Sequence, residues 1–458
     1  MTWDGIDQWW LFVVGSALMV LGEVLAILSA FHALRHVRTS QAAVGWTVAL
    51  ITLPLIALPL YWVFARSRFE GYREAIRDVG ERHQRSILAV QHELQTEEYA
   101  RSTTQDSALE RLADILDTPL STAERVELLI DGDAFFNAIL SAIAAAKSYI
   151  YAEFYILRDD EIGGRFADAL IWQASRGVHV RILYDEVGSI RLSRRYLAKL
   201  RAAGIDVHAF NTRQGWVNRF QINFRNHRKM LLVDGQVAIV GGLNIGDEYL
   251  GRHGKMSPWR DTGILVEGPI TRKVQAVFAG DFYWAARSDL PEACWGTPPP
   301  EVAQGSLPMV TANHGSSAPL PNANAAVCAT GPNDLRPRAT MMFAAVADAA
   351  RHRLWISTPY LVPDEPCLVA LHMARSRGVD VRILIPNQAD HWSVYLAGFH
   401  FAHELSEAGI HVYRYTKGFL HQKCILVDDQ IALIGSTNLD NRSLYLNFEL
   451  MIAVQDPT

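Results

Sequence analysis

The 458-residue sequence predicts an α/β protein: two copies of one domain, preceded by a two-helix transmembrane hairpin. Three observations predict it. First, the stretch from His227-Arg-Lys229 through Asp234 and Gly241-Gly242 to Asn244 recurs without gaps from His421-Gln-Lys423 through Asp428 and Gly435-Ser436 to Asn438. Second, shorter matches precede both copies in the same order. Arg176-Gly-Val-His-Val-Arg-Ile-Leu pairs with Arg377-Gly-Val-Asp-Val-Arg-Ile-Leu, and Ala203-Gly-Ile-Asp-Val with Ala408-Gly-Ile-His-Val, so a whole domain is duplicated. Third, the chain opens with two apolar runs, each long enough at ~1.5 Å per residue to cross a hydrocarbon core of ~30 Å.

Those runs cover about residues 9–31 and 42–64, within an N-terminal region 1–66. Arg66, Arg68, Arg73, Arg77, Arg82 and Arg85 follow the second run, against Arg35 and Arg38 between the two. This positive-inside bias places the rest of the chain in the cytoplasm. The expected arrangement is therefore a multi-pass membrane protein with cytoplasmic domains. Glu23 lies within the first run, where a charge is costly; both a functional and a packing role stay open. Pro54 and Pro59 are expected as tolerated kinks. Residues 67–125 read as a polar, solvated juxtamembrane helical linker.

From Val126 the pattern alternates between strand and helix. A strand over Val126 to Ile130, a helix over Ala134 to Lys147 and a strand over Tyr149 to Ile156 lead into a helix over Arg165 to Ser175, closed by Gly177. A strand over Val178 to Tyr184 follows. The first α/β domain spans 126–295 and the second 326–458. Residues 296–325, rich in Pro, Gly, Ala and Ser, read as a flexible linker.

Composition narrows the function. A hydrophobic share of 50% is high for a soluble chain, and a net charge of -5 with a pI near 6.3 supplies no general basic field for nucleic acid. Cys294, Cys328, Cys367 and Cys424 show no C-x-x-C spacing, which fits a reduced compartment. The histidines show no metal-ligand spacing, and neither a metal nor a cofactor is expected.

Each repeated stretch reads H-x-K-x4-D-x6-G-[GS]-x-N. Side chains two apart on a strand share a face, so His and Lys project together. The β-branched run behind them ends in a tight turn at Asp234-Gly235 or Asp428-Asp429, and a return strand delivers Asn244 or Asn438. Such a hairpin offers an imidazole, an ammonium and an amide to a phosphate. Asp234 and Asp428 complete the motif, but their odd offset from His and their turn position suit bracing rather than proton transfer. Glu153, Tyr155, Tyr360 and His391 fall at strand ends lining the same cleft, where packing explains the aromatics.

The doubled motif resembles that of the phospholipase D superfamily. The flanks Asn226-His-Arg-Lys, Gly-Gly-Leu-Asn-Ile-Gly-Asp-Glu-Tyr249, Trp259-Arg-Asp261 and Asn438-Leu-Asp-Asn-Arg-Ser443 through Asn447-Phe-Glu449 are similar to those of bacterial cardiolipin synthases. The resemblance implies two phospholipase D-like α/β sandwich domains that pack face to face and share one active site, in a protein of the bacterial inner membrane. It implies His227 as nucleophile, forming a phosphohistidine, and His421 as general acid and then base. Lys229, Lys423, Asn244 and Asn438 would hold the phosphate oxygens as charge builds, with Ser436 as an added hydroxyl on one side. Asp261 and Glu449 would stand behind the two histidines.

The implied reaction joins two phosphatidylglycerols into cardiolipin and glycerol. Phospholipase D-type hydrolysis, another phosphatidyl transfer, and a non-catalytic membrane lipid-binding scaffold remain the alternatives. Expected partners are phosphatidylglycerol and membrane lipids, with no nucleic acid; oligomeric state is left open. Related synthases usually continue past this point through a further helical stretch and a basic, apolar tail.

Overall fold

The computed structural model describes residues 3–37, 39–65, 69, 71–74, 108–211, 223–252, 254, 256–293, 295 and 319–456. These fall into two compact units, Met1–Gly71 with Thr212–Phe224, and Tyr72–Asn211 with Arg225–Thr458.

In the first unit a helix runs from Trp3 to His36, and its stretch Phe12–His36 is long and apolar enough to cross a membrane. The second expected span is not one helix. Ser40–Thr52 and Pro54–Phe64 meet at Leu53, whose φ of -135° and ψ of 57° are not helical. Pro54 has no N–H to donate, and its ring pushes the preceding residue out of the α region. Pro59, in contrast, stays inside its helix. At 13 and 11 residues, each piece is shorter than the ~20 needed to span alone. Ala26, Ala30, Ala33, Leu50, Ala57 and Tyr61 form the contact with the long helix, small side chains letting the backbones approach. Glu23 lies on an exposed face.

The second unit is built on one sheet of 15 strands among the described residues. Its centre is an antiparallel pair, Ser121–Ile130 with Leu320–Thr330. Outward from Ser121–Ile130 come Thr262–Glu267, Val237–Gly241, Met230–Val233, Tyr149–Phe154, His179–Asp185 and Asp206–Phe210. Outward from Leu320–Thr330 come their repeats Asn447–Gln455, Ile431–Gly435, Cys424–Val427, Arg353–Ser357, Asp380–Pro386 and His411–Tyr415. Mirrored order about an antiparallel pair makes an approximate two-fold. Helices cover the sheet, and Ile270–Ala286 packs Val274, Phe278 and Phe282 onto its middle.

Several bounds differ from the sequence reading; the helix expected from Arg165 begins at Glu161 and that expected from Ala134 begins at Asp131, and three differences are larger or change an assignment. The first strand begins at Ser121, ahead of Val126. Residues 320–325, read as linker, belong to the central strand, where Ala323 and Ala325 are fully buried. Their Pro, Asn and Ala carry weak strand propensity, overridden by pairing with Ser121 to Val126 and, from Asn324 onward, with the C-terminal strand as well. The end of the expected solvated linker is the helix Ala108–Ile115, which buries Leu109, Leu112 and Ala113, with Leu116 following, in the core of the second half. That spacing is a helical stripe. The rest of that linker, from 75 to 107, and residues 296–318 lie outside the described residues.

Candidate active site

Both motif copies fold as antiparallel hairpins, Met230–Val233 with Val237–Gly241 and Cys424–Val427 with Ile431–Gly435. Asp234 and Asp428 take positive φ at the turns. Asp234 accepts the backbone N–H groups of Lys147, Ser148 and Tyr149, each at 2.8 Å. Asp428 does the same for Arg351, His352 and Arg353. Extended chain at ~3.3 Å per residue puts them roughly 20 Å from the histidines, so within the catalytic motif they tie the hairpin to the neighbouring strand.

At the other end of each hairpin the halves exchange short strands. Arg225–Asn226 runs parallel to Asn447–Phe448, and Phe419–Leu420 parallel to Trp259–Arg260. The register continues one residue further. His227 N donates to Phe448 O at 2.9 Å, and His421 N to Arg260 O at 2.8 Å. Each histidine therefore arrives beside a carboxylate from the opposite half. His227 Nδ1 lies 2.9 and 3.0 Å from the two oxygens of Glu449, and His421 Nδ1 lies 3.1 Å from Asp261 Oδ2. A carboxylate can only accept, which places the His227 proton on Nδ1 and leaves Nε2 with its lone pair.

The two sides are not identical. Glu449 is fully buried and accepts from Ser436 Oγ at 2.5 Å, Ser443 Oγ at 2.8 Å and Asn447 Nδ2 at 3.1 Å. Ser436, expected to bind phosphate, thus faces a carboxylate: its hydroxyl is fully buried against Glu449 and also accepts Leu450 N–H. The matching Gly242 is explained by the shorter Asp261. A Cβ at Gly242 would lie 2.8 Å from Asp261 Cγ and nearer still to Oδ1. Lys423 Nζ lies 2.6 Å from His421 Nδ1 and also donates to His421 O. His421 Nδ1 is therefore shared between Asp261 and Lys423, whereas Glu449 alone holds that of His227.

Lys229 is fully buried, donates to His227 O, and sits 5.4 Å from the centre of the Tyr155 ring. Asn244 is committed: its Oδ1 accepts from Ile156 N at 3.0 Å and its Nδ2 donates to Tyr249 Oη at 2.8 Å. Asn438 Oδ1, also buried, has no hydrogen-bond partner among the described residues. Tyr155 stands edge-on to His227 at 5.0 Å and Tyr360 edge-on to His421 at 6.3 Å. Tyr360 is also 6.4 Å from the His391 ring. The signal for these tyrosines was the repeat Tyr155-Ile-Leu and Tyr360-Leu-Val, each just past a strand.

Arg228, the middle residue of the first H-x-K, gave no functional signal in sequence. It donates to Glu449 O and Thr330 O at 3.2 Å each and pairs with Asp281 at 2.5 Å, all buried. Tyr72 donates to the same Asp281 at 2.7 Å, while Asn226 donates its side-chain amide to Glu153 and its backbone N–H to Asp185 at 2.9 Å. The second copy has neutral Gln422 instead, which accepts from Thr262 Oγ1 at 3.2 Å.

The family described as cardiolipin synthase, phospholipase D-like domain, matches residues 139–281 and 344–458, and so contains both hairpins. Cardiolipin synthase A of Pseudomonas aeruginosa is 42% identical over 442 residues, 96% of this chain and 86% of the relative. The chain belongs to the cardiolipin synthase family. Cardiolipin synthase A of Pseudomonas fluorescens is 40% identical over 441 residues, covering 96% of this chain and 88% of that one. The fold is shared with a phosphatidylserine synthase of Haemophilus influenzae, at a TM-score of 0.55 and 17% identity over 77% of this chain and 87% of that structure. Membership in the cardiolipin synthase family implies a phospholipid substrate, and the apolar helix Phe12–His36 fits a membrane-associated enzyme.

The charged groups of this cardiolipin synthase site are dry: Lys229, Lys423, Asp261 and Glu449 are all buried. Burial, opposed in part by Glu449, pushes His227 down to about 4 and Lys229 down to about 7. Burial also lowers Lys423, and burial with the adjacent Lys423 lowers His421. Burial works against the charge of Glu449, yet His227, Lys229 and Ser436 together hold its carboxyl below the usual range. The resting site therefore carries neutral imidazoles beside ionised carboxylate.

Proposed function

We propose that this chain transfers a phosphatidyl group from one phosphatidylglycerol to the terminal hydroxyl of a second, giving cardiolipin and glycerol. The observation that carries the reading is the crossed pair His227–Glu449 and His421–Asp261, with a buried lysine two residues after each histidine. His227, neutral and with its Nε2 lone pair free, attacks phosphorus. The P–N bond forms as the P–O bond to glycerol breaks, and His421 gives its proton to the departing oxygen. The second phosphatidylglycerol then loses its hydroxyl proton to His421 and attacks the phosphohistidine, releasing His227.

Both rings are held neutral at rest, so His421 must gain its proton as substrate arrives. A phosphodiester brings one negative charge into a buried site, which favours protonation of the nearest base. His421, whose Nδ1 is shared with Lys423, is the less fixed ring and suits this role. Lys229 and Lys423 stabilise the five-coordinate phosphorus, and Asn438 is the motif amide not already committed elsewhere. Asp261 and Glu449 act through the histidines, holding tautomer and ring orientation. A diester is exchanged for a diester, so no nucleotide is required.

The arginines after residue 64 and the apolar helices support a multi-pass inner-membrane protein with its catalytic domains in the cytoplasm. Anchoring holds the site near both lipid substrates. The test is to reconstitute the purified chain in liposomes with labelled phosphatidylglycerol and resolve the products. Cardiolipin with an equal yield of free glycerol is expected. Phosphatidic acid without cardiolipin would make water the acceptor and overturn the transferase reading.

A further inference from the structure

The two-fold of the large unit relates two segments, each tied to a tyrosine that packs on one of the histidines, and both expose apolar side chains. One follows the strand His179–Asp185 and carries Ile190, which is 78% exposed. The other follows the equivalent strand Asp380–Pro386 and is the start of the helix Trp392–Glu407, with Trp392 70% and Leu396 60% exposed. Trp392, Leu396 and Phe399 recur at i, i+4 and i+7, which places them on one face. An apolar side chain exposed singly needs no explanation, whereas Trp392, Leu396 and Phe399 on one half, answered by Ile190 and the 44% exposed Val187 on the other, do.

Each segment is fixed to a tyrosine beside a catalytic ring. Ser189 Oγ donates to Tyr155 O at 3.1 Å and accepts from Leu157 N at 3.0 Å. Gly188 packs so closely that a Cβ there would lie 2.6 Å from Tyr155 Cε2. On the other side Tyr360 Oη donates to Asp390, two residues before Trp392. The apolar tips thus stand at fixed offsets from His227 and His421. Charge accompanies them: Arg194 and Arg195, both exposed, begin the helix that follows Ile190, and Arg414 lies over the Phe399 ring with its guanidinium 3.9 Å from the centroid.

We propose that this rim, formed by Ile190, Trp392, Leu396 and Phe399 with Arg194 and Arg195, is a docking surface for an anionic lipid bilayer. Apolar side chains seated at the headgroup boundary with basic residues beside them are the chemistry of an interfacial membrane contact. The rim is separate from the N-terminal helices: it belongs to the globular unit and presses the histidine site against the headgroups. Only the activity arm of the test below rests on the phosphatidyl-transfer reading.

The full chain is reconstituted into vesicles of phosphatidylglycerol and phosphatidylethanolamine. Ile190→Cys and Leu396→Cys variants carry an environment-sensitive fluorophore, Asp168→Cys is an exposed control, and the labelled parent chain gives the background. Quenching of the first two labels by nitroxide lipids, weaker in vesicles of phosphatidylcholine alone, is expected; quenching no greater than at position 168 would overturn the proposal. A label shift that depends on protein concentration and is insensitive to nitroxide would mean that a second copy covers the surface, which also overturns it. In the activity arm, the double variant Ile190→Asp, Leu396→Asp should raise KM for vesicle phosphatidylglycerol by about tenfold or more, from lost apolar contact. Its turnover of a monomeric short-chain phosphatidylglycerol should stay at the parent level. Equal losses on both substrates would place the lesion inside the site and count against docking. Quenching in a parent chain that makes no cardiolipin would sink the transferase reading and leave the docking surface standing.

Discussion

Replacing Gly242 by alanine adds one methyl group and should disable His421 without unfolding the chain. The added Cβ would lie 2.8 Å from Asp261 Cγ, where carbon atoms in contact prefer ~3.5 to 4.0 Å, so the carboxylate must retreat by about 1 Å. Asp261 is fully buried, accepts Thr262 N–H at 2.8 Å and reaches His421 Nδ1 at 3.1 Å. A retreat of that size lengthens the histidine contact to about 4 Å, past hydrogen bonding. Misplacing a catalytic group by about 1 Å costs on the order of a hundredfold, or ~2.7 kcal/mol in the barrier. The assay is kcat for cardiolipin formation in proteoliposomes beside a thermal melt of the same sample. A hundredfold fall in kcat with KM little changed and Tm within a few degrees is expected. Parent-level kcat would refute the claim that Asp261 occupies the space over Gly242, and a collapsed melt would refute the claim that the methyl acts locally.

Ser436→Ala removes the 2.5 Å donor to Glu449, a charge-assisted bond of ~1.5 to 3 kcal/mol, but leaves Ser443 and Asn447 in place. We expect kcat to drop about tenfold with KM unchanged; a rise in KM alone would return Ser436 to the substrate. Arg228→Met leaves Asp281 buried without its cation and should cost roughly 3 to 5 kcal/mol in a denaturant melt, whereas Gln422→Met should cost far less. The pH profile follows from Lys229, which is charged only below about 7. As pH rises through 7 it loses its proton and kcat/KM falls, while the limb in kcat lies higher because a bound phosphodiester favours the ammonium. A flat kcat/KM to pH 9 would show Lys229 still charged. Stability runs the other way. His227 takes a proton near its ordinary 6.5 when unfolded but only near 4 when folded, so the chain should become less stable as pH drops from about 6.5 to 4.

The hairpins were legible because they are local. A β-branched run, a turn aspartate and a return strand lie within eighteen consecutive positions, and their repetition marks them as one unit. What lay beyond the sequence is long-range. Which carboxylate serves which histidine depends on two-residue strands, Arg225–Asn226 with Asn447–Phe448 and Phe419–Leu420 with Trp259–Arg260, too short for any periodicity. Ser436 was misread for a related reason: motif position sets where the residue falls, but the buried partner decides what its hydroxyl bonds, and Glu449 is longer than Asp261 by one methylene. Leu320 to Ala325 looked like linker because strand formation there is imposed by pairing with Ser121 to Val126, joined from Asn324 onward by the C-terminal strand. Arg228 carried no signal, since an arginine between His and Lys reads as a solvated side chain until Asp281 and Thr330 surround it.

The crossed pairing also orders events during synthesis of the chain. Glu449 is joined to His227 across 222 residues. While the ribosome is still making the second half, the first half can fold its hairpin and present His227, but nothing yet fixes that ring's tautomer or orientation. His421 meets the reverse situation, for Asp261 is waiting when it emerges. With the roles proposed above, the acid–base side can therefore be assembled first and the nucleophile last, so a half-made chain holds no competent nucleophile against nearby lipid.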